Sequence, residues 1–97
     1  MVQVVENRTD LEGVVLSRAT DRERAGYDIV DIEVRRATPV NGYADLLSSR
    51  VDGHLALTVK RDLLPGGQLK GSAIRCRAFL AGPGVVLAEN LSVTSPA

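Results

Sequence analysis

Ninety-seven residues, 44% hydrophobic and 25% charged, suit one small globular domain that can bury a single core. Aromatic residues make up only 3%, so that core has to be built from Val, Leu, Ile and Ala. Twelve basic residues balance twelve acidic ones, which removes any global field towards nucleic acid or an anionic membrane and leaves such binding to a local patch.

Cys76 is the lone cysteine, which excludes an intramolecular disulfide and a cysteine-pair zinc site. The opening MVQVVENRTD lacks a basic region followed by a long apolar run, so no secretory signal is expected. No apolar run is long enough to span a bilayer, and the expected location is cytoplasmic. Ten of the twelve basic residues are arginine, a side chain suited to planar carboxylate or phosphate partners.

Val2–Val5 is a short apolar run that can pair as an edge strand or lead into the next one. Asn7-Arg8-Thr9-Asp10 has turn-type composition. Thr9 and Glu12 have capping-box spacing, but Gly13, Val14 and Val15 follow, and β-branched residues favour a strand. Leu11–Ala19 is therefore read as the first full strand, with Gly13 marking a bulge or bend. Thr20–Gly26 reads as a charged hairpin connection, with one helical turn as the alternative because Thr20 and Glu23 have capping-box spacing. Tyr27–Ala37 is the clearest strand: Val30, Ile32 and Val34 share one face, and Ile29, Asp31, Glu33 and Arg35 the other. Pro39, Asn41 and Gly42 break that pattern.

Tyr43–Val51 is expected to be irregular with one helical turn, its apolar side made of Leu46, Leu47 and Val51. Gly53–Lys60 is the third strand, with Leu55, Leu57 and Val59 inward and His54, Ala56, Thr58 and Lys60 outward. Arg61–Gly71 connects onward, with Leu63 and Leu64 expected to cap the barrel bottom. Ser72–Ala81, a Gly82-Pro83-Gly84 turn and Val85–Val93 form a closing hairpin, and Thr94–Ala97 reads as a frayed tail. Ile74, Cys76, Ala78 and Leu80 share one face of this hairpin's first strand, while Arg75, Arg77 and Phe79 share the other.

Five strands, no repeat and no second domain boundary predict an all-β chain: one five-stranded antiparallel Greek-key barrel of the OB-fold type over residues 1–97. A β-sandwich is the alternative.

Asn7, Leu11-Glu12-Gly13-Val14-Val15, a charged loop to Gly26 and a long alternating strand resemble the opening of the bacterial single-stranded DNA-binding proteins. Leu69-Lys70-Gly71-Ser72 and Val85-Val86-Leu87-Ala88-Glu89-Asn90-Leu91 resemble the end of the same domain, including its compact primosomal replication protein PriB type. The resemblance implies an OB-fold barrel that binds single-stranded DNA or RNA without catalysis. Exposed strand edges and an outward Phe79 and Ile29 suit a homo-oligomer, formed through strand pairing or an apolar patch.

The residues suited to such binding are Arg75, Arg77 and Phe79 on one strand face, which can pair with phosphate and stack a base, with Arg35, Lys60 and Arg61 on or beside the second and third strands. The competing account pairs these arginines with carboxylates, Glu89 being an obvious partner for Arg75 and Arg77. Asp31 and Glu33 share a face with Arg35 and repel phosphate there. His54 lacks metal-ligand or catalytic partners in the sequence, and Cys76 falls on the core face. No nucleophile elbow or phosphate loop is present, so an enzyme, a cofactor, a metal or a small-molecule substrate is not expected. A protein-interaction or homo-oligomeric assembly module on the same barrel is the second functional reading.

Overall fold

The computed structural model describes residues 6–94; the run at Val2–Val5 and the last three residues of the expected tail lie outside them. Five strands follow one another: β1 (Thr9–Thr20), β2 (Tyr27–Pro39), β3 (His54–Lys60), β4 (Ala73–Gly82) and β5 (Val85–Thr94). They close into a barrel in the order β1-β2-β3-β5-β4, with β4 returning to β1. This is the Greek-key barrel of the OB-fold. All five expected strands are present, and their ends differ from expectation by one or two residues. Thr9 lies in β1, so its capping-box spacing starts no helix.

One pairing departs from the all-antiparallel expectation. Because β1 runs antiparallel to both β2 and β4, β3 and β5 both point along β1. Their contact is therefore parallel, made through Thr58 and Leu87. Thr58, expected outward, is buried at this closure.

The core is aliphatic, as the composition demands. Leu11 and Val15 of β1 meet Val30, Ile32 and Val34 of β2, Leu55, Leu57 and Val59 of β3, and Ile74 and Ala78 of β4. Alternation on a closed barrel sends every second side chain into this interior. Two residues from connections join it, Leu47 and Leu69. Full burial of such a side chain contributes roughly 1.5–3 kcal/mol, which anchors each connection to the barrel.

Bulges decide which side chains leave that alternation. In the β1–β2 ladder Glu12 faces Arg36 and Gly13 faces Val34, so Arg35 is an extra residue on β2. Arg35 and Arg36 are consequently both exposed, whereas strict alternation from Val34 turns Arg36 inward. Gly13 sits at this crossing because β2 passes close: a Cβ there would lie 2.3 Å from the Glu33 carbonyl oxygen. In the β4–β5 ladder Arg75 faces Ser92 and Arg77 faces Glu89, which leaves Asn90 and Leu91 opposite Cys76. Asn90 adopts a left-handed φ of 50° within this bulge.

The connections hold two 3-10 turns where one helical turn was expected. The first is Ser48–Arg50, between β2 and β3. Asp45 organises it, accepting hydrogen bonds from the Thr9 hydroxyl at 2.8 Å and the Ser48 amide at 3.1 Å. The Ser48 side chain, and after it Thr9 and the turn's amides, outweigh burial and hold the Asp45 carboxyl below its ordinary pKa. Of the expected apolar side only Leu47 is buried; Leu46 and Val51 are exposed. A 3-10 turn has three residues per turn, so helical spacing does not align the three. The second turn, Arg61–Leu63, follows β3 directly. Leu63 is exposed, whereas Leu64 is half-buried and packs against the core, and Leu69 from the same connection is buried in it.

Asn7, read as a turn residue, is buried and acts as an extra ladder rung. Its side-chain amide donates to the Leu80 carbonyl at 3.0 Å, and its oxygen accepts from the Leu80 amide at 2.8 Å.

Candidate nucleic-acid interface

The barrel wall formed by β1, β4 and β5 collects most of the candidate residues. Arg75 and Arg77 point outward from β4, as alternation requires, and stand opposite Glu12 and Asp10 of β1. Arg77 binds Asp10 with two nitrogens, Nε to Oδ1 at 2.9 Å and Nη2 to Oδ2 at 3.4 Å. Arg75 Nε lies 3.2 Å from Glu12 Oε1. Both arginines do pair with carboxylates, but the partners come from β1. Glu89 pairs with Arg8. The hydrogen bond from Arg77 to Asp10, and then the charge of that carboxylate, raise the already high pKa of Arg77.

The β2 bulge adds a third guanidinium that strand alternation misses. Arg36 Nη1 reaches to 3.6 Å from Glu12 Oε2, so Glu12 stands between Arg36 and Arg75. Arg36, Arg75, Arg77, Asp10 and Glu12 line one open groove of about 460 Å³. Three cations against two carboxylates leave it with a net positive charge. Guanidinium N–H groups that these carboxylates do not engage can donate to a ligand or to water.

Phe79 lies further along the same face of β4 and is half-buried. The Arg8 guanidinium stacks over its ring, 4.1 Å from the centroid, and lies 5.3 Å from the ring centroid of Tyr43. Arg8 Nε also sits 2.9 Å from Glu89 Oε1, and its Nη1 donates to the Asn7 carbonyl at 2.6 Å. Cation–π contact and the ion pair together hold Arg8 in place. The sequence carries little sign of Arg8's place, because its neighbours have turn-type composition and the one signal is an arginine in a chain with three aromatic rings.

A second, apolar pocket of about 190 Å³ opens beside Phe79, where β3 meets β5. Tyr27, Leu63, Phe79 and Leu87 form its walls, with Lys60 and Glu89 as charged members. Lys60 thus joins Phe79, although the whole β3–β4 connection separates them in the sequence.

Arg61 and Arg35 lie elsewhere. Asp28 is buried at the start of β2 and holds a guanidinium on each oxygen: Arg18 Nε at 2.8 Å and Arg61 Nε at 2.9 Å. Burial pushes the Asp28 carboxyl up, but the hydrogen bonds and charges of Arg18 and Arg61 outweigh it and hold its pKa below the ordinary value. Arg18 also donates to the carbonyls of Pro65 and Gly67, at 2.6 and 3.1 Å. Arg61 is therefore part of a staple joining β1, β2 and the β3–β4 connection. Arg35 pairs with Glu33 at 2.8 Å on the face shared with Asp31, which is mixed in charge.

Cys76 is buried, and burial, followed by the nearby Asp10 charge, pushes its pKa up to about 12. Among the described residues no cluster of His, Cys, Asp and Glu is arranged to hold a metal ion, and no helix is long and apolar enough to cross a membrane. No protein-family model, curated protein or solved structure matches the chain.

Proposed function

We propose that this barrel is a non-catalytic module for single-stranded nucleic acid of the single-stranded DNA-binding protein type, and that it binds along the outer wall of β4. The observation carrying this reading is the convergence of Arg36, Arg75 and Arg77 on one groove next to Phe79. Guanidinium groups pair with phosphates through parallel N–H donors, and an aromatic ring accepts a base on its π-face. The competing pairs with Asp10 and Glu12 are on the surface, where an ion pair contributes little net stability. A phosphate can displace them at small cost. The wall between β2 and β3 is less suited, because Asp31 and Glu33 offset Arg35 there and Arg61 is committed to Asp28.

The test is fluorescence anisotropy of a labelled single-stranded oligonucleotide titrated with the full chain. Three phosphate contacts imply a slope of about −2 for log affinity against log salt, from roughly −0.7 per phosphate on a single strand. Affinity should fall about 20-fold from roughly 50 to 200 mM salt. Arg75→Glu and Arg77→Glu should each weaken binding and flatten the slope. Absence of saturable binding at low salt, with protein well above micromolar concentration, overturns the reading.

An assembly module is the second reading. Tyr43, Leu46 and Val51 are large apolar residues exposed on the single β2–β3 connection. Three exposed apolar residues on one short connection suit association with a second copy of the chain. Sedimentation at increasing concentration tests it, and a monomer throughout excludes self-association.

A further inference from the structure

We infer that the apolar pocket where β3 meets β5 is a nucleobase site that favours bases carrying an exocyclic amino group. This rests on the proposed function, since it assigns the base whose phosphates run towards the arginine groove. Three observations lead to it.

The first is the place and size of the pocket. Strands β3 and β5 meet through one parallel register pair, Thr58 with Leu87, so the wall is least continuous here. The pocket of about 190 Å³ reaches Thr58 and Leu87 themselves, with Tyr27, Leu63 and Phe79 as further apolar walls. A flat ring stacks on such aromatic and aliphatic surfaces whatever its identity.

The second is the state of Glu89. It borders the pocket, and Arg8 Nε holds its Oε1 at 2.9 Å. Arg8 is itself stacked on Phe79. A cation fixed in this way orients the carboxylate, and Glu89 has no other hydrogen-bond or ion-pair partner among the described residues. Oε2 is left as an acceptor, and a carboxylate accepts but does not donate. An amino group, such as N4 of cytosine, is its complement. Thymine and uracil flank their ring N–H with two carbonyl oxygens, which a carboxylate repels.

The third is Lys60. Among the described residues it has no carboxylate within ion-pair distance, unlike Arg35, Arg61, Arg75 and Arg77. It stands at the end of β3 and lines the same pocket. That places an uncommitted ammonium beside the base site, where the nucleotide's own phosphate would lie.

The experiment compares labelled dC and dT homo-oligomers of equal length, at neutral pH and one low salt concentration, with the wild-type chain and with Glu89→Gln. Cytosine and thymine are both single-ring pyrimidines, so size is held constant; a preference that comes from the thymine methyl rather than from the base edge would survive in Glu89→Gln. The expected result is dC bound roughly fivefold more tightly than dT, a modest effect because Glu89 is partly solvent-exposed. In Glu89→Gln the dC/dT ratio should fall towards one, because an amide can turn either its oxygen or its nitrogen to the base. The ratio removes the general gain in affinity from deleting a negative charge. Binding of both oligomers with equal affinity to the wild-type chain overturns the base site while the proposed function stands. A preference that survives Glu89→Gln overturns the role of Glu89. Binding of neither oligomer removes both readings. Lys60→Ala supplies an independent check through a site fully outside the β-ladder contacts of Glu89: it should weaken dC and dT alike, and unchanged affinity would overturn the placement of the phosphate.

Discussion

Gly13→Ala should destabilise the barrel by about 2 kcal/mol, and the reason is one close approach. The added Cβ would lie 2.3 Å from the Glu33 carbonyl oxygen and 3.2 Å from its carbon. Ordinary contact needs roughly 3.5 Å or more. The obstacle is main chain in the middle of β2, paired on one side with β1 and on the other with β3, so it cannot swing away as a side-chain tip could. Overpacking of this kind costs about 1–3 kcal/mol, and a clash with fixed backbone belongs in the upper half of that range. Against it stands a gain of about 0.4–1 kcal/mol from the reduced freedom of the unfolded chain. The net is a large share of the roughly 5–15 kcal/mol that holds a small domain together. Urea unfolding followed by circular dichroism should show a lower midpoint with little change in slope, and the melting temperature should fall by roughly 8–16 °C. Gly66→Ala is the control, because nothing lies within 4 Å of its Cβ position. An unchanged or raised midpoint for Gly13→Ala would refute the close crossing of β1 and β2.

Asp28→Asn should cost about 2 kcal/mol, since Arg18 and Arg61 each bind a different carboxylate oxygen and the amide offers one oxygen, turns an NH2 donor to the other guanidinium and carries no charge; the cost is no larger because Arg61 is half-exposed. The folded pKa of Asp28 lies below its ordinary 3.8, so its contribution is complete above that pH and is lost as pH falls through the folded value. The gap in urea midpoint between wild type and Asp28→Asn should therefore close on acidification below pH 3.8, and a constant gap down to strongly acid pH contradicts the staple. Cys76, with its pKa pushed up to about 12, should resist an aromatic disulfide reagent in the native protein near neutral pH and react once urea unfolds the chain. Rapid native labelling would show that the thiol is not buried in the β4 core face.

Much of the barrel was legible in the chain itself. Alternation gives the inner and outer faces from Tyr27 as far as Arg35 and along residues 74–79, including Cys76 inward and Arg75, Arg77 and Phe79 outward, because a strand side chain's direction follows from its own position. Gly13 announced the bulge, since a glycine within a strand implies a bend or a near neighbour. Of the two leucines expected to cap the barrel, Leu64 packs against the core and Leu63 does not, while Leu69 is buried in it, because hydrophobicity in a connector does not say which leucine reaches the core.

What local pattern determined, then, was the number of strands, their faces and an aliphatic interior. What only the tertiary structure decided was the company each charge keeps. Arg77 finds Asp10 across 67 residues of chain, Glu89 finds Arg8, and Arg36 turns outward into the groove because Arg35 is an extra residue in the ladder. Lys60 and Phe79 come together through the parallel contact of β3 with β5. Direction along a strand is a property of two neighbouring residues. Pairing depends on register, bulges and barrel closure, which are set only when the whole sheet has folded back on itself.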